Sequence, residues 1–184
     1  MRVELAMSPG QTQTFDVLLS NPGKSQTTRF RVLVLDVQQD RSGGYTVVES
    51  GHPGYSCAKW IRPSVREVAL QPGQAAGVKF SITAPRDAFG GRYAAVVFEL
   101  VSDREIEAKA FVRTEFVYRL ATIVEVTVSG SRVRRALSVT GFEAGPTSAY
   151  PRYASYGSGG AVLAAQVNND GNTHLFAQGT LTLR

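Results

Sequence analysis

Residues 68–82 read VALQPGQAAGVKFSI, and this stretch decides the fold class. Val68, Ala69 and Leu70 run into Gln71-Pro72-Gly73-Gln74, with proline at the second and glycine at the third position of a four-residue turn. Proline pre-sets φ for the second position, and glycine tolerates the positive φ that a type II turn demands at the third. After the turn, Val78, Phe80 and Ile82 alternate with Gly77, Lys79 and Ser81. That two-residue period belongs to a strand with one buried face.

The same grammar extends in both directions. Strands are expected over 14–19, 29–37, 45–48, 65–70, 92–101 and 108–128, with a short extended piece over 58–61 closed by Pro63. In 29–37, Phe30, Val32, Val34 and Asp36 face one way, and Arg31, Leu33, Leu35 and Val37 the other. Asn21-Pro22-Gly23 suits a strand-ending turn, because asparagine bonds its own backbone and glycine permits positive φ. Ser8-Pro9-Gly10 is a second such turn. No segment keeps a helical period, and strands recur about every 8–14 residues, as in a sandwich. The chain therefore reads as all-β, with an immunoglobulin-like β-sandwich over 1–128.

The pattern changes after the run 121–128, at Ser129-Gly130-Ser131. Beyond it, strands are expected over 136–142, 161–167 and 175–183, with a Tyr/Gly/Ser loop over 145–160. The polar stretch Asn168-Asn169-Asp170-Gly171-Asn172 reads as a hairpin turn, since Asp-Gly is a strong hairpin signal. A complete sandwich needs about seven strands. Residues 129–184 are therefore expected to form a partial second β-sandwich domain. It would be completed by more chain or by a partner through strand exchange or dimerisation. Met1 is followed at once by the strand-like Arg2-Val3-Glu4-Leu5, so the chain reads as starting inside a domain, with any leader and anchor outside it.

Composition narrows the function. Twenty basic and 15 acidic residues give a net charge of +5, spread along 184 residues. Only Arg132, Arg134 and Arg135 cluster, and they read as a solvated strand edge before an anionic contact. Nucleic-acid binding would need a clustered basic stripe interleaved with aromatics. No apolar run approaches the ~20 residues that span a bilayer. The single cysteine, Cys57, reads as a buried, inert thiol, with His52 five residues away in a Gly/Pro loop as its one nearby base. One cysteine and two distant histidines make no zinc site, and no cofactor is implied. No nucleophile elbow, phosphate loop or metalloprotease motif occurs, so no enzyme is expected. Glu105 and Glu107 alternate onto one side of a strand and read as a solvated face.

Two groups of residues resemble known bacterial families. The first is Pro9-Gly10-Gln11 with residues 15–21. The second comprises Trp60-Ile61-Arg62-Pro63, Gln71-Pro72-Gly73-Gln74, Val78-Lys79-Phe80, Ala84-Pro85 and Gly91-Arg92-Tyr93. The layout resembles the N-terminal Ig-like domain of periplasmic pilus chaperones. It is also similar to the first domain of WxL-interacting, peptidoglycan-binding surface proteins. The chaperone resemblance implies two basic anchors for a pilin carboxylate. One lies on the first strand, and the other four residues before an Arg that follows an aromatic. Val117-Tyr118-Arg119 matches that closing segment, but the anchor position holds Glu115, which repels a carboxylate, and Leu120 stands where proline is usual. One face of the closing strand, Phe111, Arg113, Glu115, Val117 and Arg119, is mostly charged, which discourages strand addition.

The candidate binding residues are Trp60, Tyr150, Arg152, Tyr153 and Tyr156. Trp60 is the single tryptophan; it suits core packing or a sugar-stacking platform. The three tyrosines with arginine, serine and glycine have the composition of an adaptable binding loop. The leading expectation is a non-enzymatic bacterial surface or periplasmic protein that contacts cell-wall polymer or another surface protein. A pilus-type assembly chaperone and an accessory domain of a larger secreted enzyme are the alternatives.

Overall fold

The computed structural model describes residues 1–40, 44–51, 54–101, 117–130, 132–146, 161–175 and 178–180. The chain divides into two compact units, Met1–Arg132 and Val133–Arg184.

The first unit is a two-layer sandwich. Its strands are β1 (Arg2–Met7), β2 (Thr12–Ser20), β3 (Thr28–Gln39), β4 (Tyr45–Val48), β5 (Ile61–Pro63), β6 (Glu67–Leu70), β7 (Ala75–Thr83), β8 (Gly90–Leu100) and β9 (Arg119–Val128). One sheet runs β1-β9-β8-β3-β4, with β6 also paired to β3, and the other runs β2-β7-β5. The second, fourth and fifth strands of an immunoglobulin domain share one sheet, and the third, sixth and seventh share the other. Here β2, β7 and β5 take the first set of places, and β3, β8 and β9 the second, with β4 as the extra edge strand of the variable type. The architecture is thus all-β and immunoglobulin-like. β1 lies parallel to β9, Arg2 opposite Ile123 and Met7 opposite Val128.

The core forms where the inward rows of the two sheets meet. Val17 and Leu19 of β2 and Val78, Phe80 and Ile82 of β7 face Val96 and Phe98 of β8 and Val124 and Val126 of β9. Phe80 is fully buried; it stacks on Phe15 at 5.2 Å and meets Phe98 edge-on at 6.4 Å.

The turns follow their residues. Gln74 N–H donates to Gln71 O at 3.0 Å while Gly73 takes φ +74°, as the proline–glycine pair requires. Asn21 is buried and fully engaged: its side chain accepts from Gly23 N–H at 3.0 Å and donates to Gln26 O and Leu70 O. That single residue ties the end of β2 to the end of β6.

Two expectations need correction. The extended piece over 58–61 is a single 3-10 turn, Ala58–Trp60, ahead of β5. Ser56 Oγ accepts from Ala58 N–H at 3.1 Å, and Trp60 N–H reaches back to Cys57 O at 2.9 Å. The turn lets Cys57 and Ile61 both point into the core, which an extended chain with four-residue spacing also allows but without satisfying these amides. The second correction concerns the second unit. Its strands β10 (Leu137–Pro146) and β11 (Ala161–Asn169) form an antiparallel pair, while most of the strand expected over 175–183 lies outside the described residues. Residues 168–172 do not make the expected hairpin. Asp170 N–H donates to Ala136 O and Asn172 N–H to Arg134 O, both at 3.0 Å, so the chain continues alongside the segment before β10. Gly171 packs so tightly there that a Cβ would sit 2.4 Å from Arg134 O. Glycine is required for close approach, and the left-handed turn geometry that Asp-Gly signals is not adopted.

Candidate functional site

The most distinctive surface of the first unit is the N-terminal half of β9. Ile123 N–H donates to Met1 O at 3.1 Å and Ser129 N–H to Met7 O at 2.9 Å, so odd-numbered residues of β9 turn their main-chain groups toward β1. Leu100 N–H donates to Tyr118 O at 2.9 Å, so even-numbered residues turn toward β8. β1 covers β9 only from Ile123 onward. Among the described residues no strand pairs with the outer edge of Arg119–Thr122, where Arg119 and Ala121 present their main chain.

Apolar side chains accompany this open edge. The inward row of β9 is buried at Val124, Val126 and Val128 and still 4% exposed at Thr122, but Leu120 is 55% and Tyr118 65% exposed. Val117 is 53% exposed. A core-facing row therefore runs out past the end of the sandwich. Beside it, Glu99 on β8 bridges Arg119 at 2.7 Å and Arg31 on β3 at 3.3 Å. Arg119 is thus held by an internal carboxylate.

A second charged group lies on the outward face of the same sheet. Glu125 is buried, yet it sits on the row that faces away from the core. Tyr45 on β4 donates to its Oε1 at 2.7 Å, and Arg2 on β1 reaches the same oxygen at 3.5 Å. Burial first, then the bond to Glu125 and its charge, raises the Tyr45 pKa well above its usual value. Arg2 also pairs with Glu4 at 2.9 Å. The basic residue of the first strand therefore serves two carboxylates of the chain itself.

A groove of about 640 Å³ opens on the other side of the sheet edge, over the middle of β3. Val32–Leu35 form its floor. Lys59 and Arg62 of the 3-10 turn and β5, Arg66 just before β6 and Arg31 make its basic lining, and Asp36, Glu49 and Glu67 its acidic one. Asp36 accepts from Gly51 N–H at 2.6 Å and from the Ser56 hydroxyl.

Trp60 is half-buried and packs against the core from the 3-10 turn. Tyr150, Arg152, Tyr153 and Tyr156 lie outside the described residues, as do Glu115, the 111–116 face, Glu105, Glu107 and His52. Cys57 is fully buried, and burial first, with Asp36 second, pushes its thiol up to about 12. Such a thiol holds no thiolate near neutral pH. The arginine run is engaged piecemeal: Arg132 lies 4.1 Å over the Phe89 ring, and Arg134 donates to Asp170 O. Among the described residues no group of three His, Cys, Asp or Glu could hold a metal, and no helix is long and apolar enough to cross a membrane.

Sequence reasoning weighed 111–120 by its charged face and missed the open edge. The opposite face, with Tyr118 and Leu120, reads from the sequence as the buried one, and the structure leaves both exposed. Where β1 stops covering β9 is a matter of register and had no local mark.

Comparison with known proteins gives likenesses of structure alone. No family model and no curated protein sequence matches the chain. Among solved structures, a chaperone–tip adhesin complex of CFA/I fimbriae matches at TM-score 0.49 and 10% identity, over 92% of this chain and 64% of the other. This chain thus spans less than two thirds of that protein. The CsuC–CsuE chaperone–tip subunit complex of Acinetobacter baumannii Csu pili matches at TM-score 0.45 and 12% identity, over 92% and 68%. A family 123 glycoside hydrolase from Clostridium perfringens matches at TM-score 0.40 and 11% identity, over 72% and 24%. The immunoglobulin-like assignment rests on the strand order of this chain itself.

Proposed function

We propose that the first unit is an extracytoplasmic protein-binding module that captures an extended segment of a partner protein at the uncovered half of β9, without catalysis. The observation that carries this reading is the coincidence of an open strand edge at Arg119–Thr122 with exposed Val117, Tyr118 and Leu120. Main-chain bonds would supply affinity, and side-chain pockets on the partner would select the alternating apolar row. A pilus-type assembly chaperone is one protein that works this way. Arg2 and Arg119 are both held by internal carboxylates, so a partner's terminal carboxylate would need a different anchor, and an internal strand of the partner fits better.

The test is a pull-down with two baits, isolated cell-wall sacculi and solubilised surface proteins of the source organism, followed by hydrogen exchange on the recovered complex. Capture of one protein, with Ala121 protected and capture lost in Leu120→Asp and Ala121→Pro, is the expected result. Retention on sacculi, lost on substituting Tyr150, Tyr153 and Tyr156, would replace this reading with the wall-binding one.

A further inference from the structure

Strand β3 pairs with β8 along one edge over Phe30–Leu35. Its other edge is shared: β6 pairs with Thr28–Arg31, and β4 with Asp36–Gln39. Between them lies a gap. Val101 N–H donates to Arg29 O, so odd-numbered residues of β3 turn their main chain toward β8. Val32 N–H donates to Arg66 O at 2.8 Å, so even-numbered residues turn toward the shared edge. Val34 is the even residue inside the gap. Its N–H and C=O point between β6 and β4, and no described strand lies there to take them.

This sheet position, unfilled by any described strand, opens into the groove over β3. The groove is lined by both signs of charge, with the basic side chains Arg31, Lys59, Arg62 and Arg66 in excess of the acidic ones. Lys59, Arg62 and Arg66 are exposed, and no ion pair joins them to a described residue. Arg62 donates to the backbone carbonyls of Lys59 and Ile61, and no carboxylate of the described residues forms an ion pair with it. The exposed carboxylates Glu49 and Glu67 line the groove as well, and the third acid, Asp36, is already held by Ser56 and Gly51. A donor and acceptor set side by side on a sheet edge match another peptide main chain, and the basic side chains match carboxylates.

We infer that this notch is a second binding site, for a short extended acidic peptide segment that bridges to Val34 and lays its carboxylates along Lys59, Arg62 and Arg66. With Val32 bonded to Arg66, the gap is three residues long, Leu33–Leu35, roughly 10 Å at ~3.3 Å per residue. It admits one bridge and a turn of chain on either side, so its affinity belongs in the high-micromolar to millimolar range. The site is independent of the β9 edge.

The experiment titrates the full chain, labelled with 15N, with two blocked peptides, one alternating valine with aspartate and one alternating valine with lysine. The acidic peptide should shift the Val34 amide and slow its exchange. The exposed triple variant Lys59→Glu, Arg62→Glu, Arg66→Glu, with an otherwise unchanged spectrum, should bind it about tenfold more weakly and prefer the lysine peptide. A silent Val34 amide at about 5 mM acidic peptide, equal response to both peptides, or shifts confined to 119–122 would overturn the inference. So would polygalacturonate shifting Lys59, Arg62 and Arg66 while Val34 stays silent under both peptides. Loss of binding at β9 with Val34 still responding would sink the β9 proposal alone.

Discussion

The two units use the same local grammar and reach different ends. In the first, alternation over β7 puts Val78, Phe80 and Ile82 against a second sheet, and all three are buried. In the second, β10 and β11 also alternate. The bulge between Val139 and Gly141 keeps Leu137, Val139 and Phe142 on one face with Leu163 and Val167. Yet Phe142 is 69% exposed, and the other four stay exposed as well. A strand's apolar row stabilises only when another layer takes it out of water. Two strands alone seldom suffice.

The sharpest way to break this comparison is to truncate one phenylalanine in each unit. Phe80→Ala should cost about 3–5 kcal/mol in urea unfolding, because it removes a ring from the centre of two aromatic contacts. Phe142→Ser should stay within about 0.5 kcal/mol. A large loss at Phe142 would mean that its face is covered in solution.

Polar contacts give the next contrast. Tyr45→Phe removes the hydroxyl donor to buried Glu125 and should cost about 1.5–3 kcal/mol. Thr140→Val removes an exposed bond to Gln166 O in the second unit and should be neutral within about 0.5 kcal/mol. Equal effects from the two would contradict the burial difference.

Glycines sharpen it further. Gly73→Ala meets no atom but must hold φ +74°, at a cost of about 1 kcal/mol to the whole first unit. Gly171→Ala collides with Arg134 O. Its signature should be local, as faster amide exchange at Asp170 and Asn172, with little change in the main melting transition.

Cys57 supplies the smallest effect near neutral pH. Its folded pKa is raised from 9.0 to about 12, so the unfolded chain loses the proton first. Stability from this group is complete below about pH 9 and declines as pH rises toward 12. At pH 8, iodoacetamide should label Cys57 only at the rate of unfolding. Fast labelling of the native chain would show that the thiol is reachable.

Much of the first unit was legible from residues alone. Phe30 and Val32 did face inward, Pro72-Gly73 did make the expected turn, and Asn21 did bond its own loop. Each of these is a local rule acting within a few residues. The misses are of another kind. Residues 58–60 coil because Ser56 captures an amide and Asp36 in turn holds Ser56, and Asp36 comes from a distant strand. Asp170-Gly171 fails to turn because Arg134 and Ala136 offer it hydrogen bonds from the chain before β10.

The candidate sites divide in the same way. Trp60 was visible as a lone aromatic, and the sequence could say that it would pack or stack. The open edges at Ala121 and Val34 could not be seen, because each depends on where one strand's register ends and another's begins. Alternation, turn residues and composition determined an all-β chain with one immunoglobulin-like sandwich, since side-chain period and backbone preference are local properties. Only the tertiary structure decided which main-chain groups remain unpaired and which apolar rows run out into solvent, because pairing and burial are settled between segments far apart in the chain.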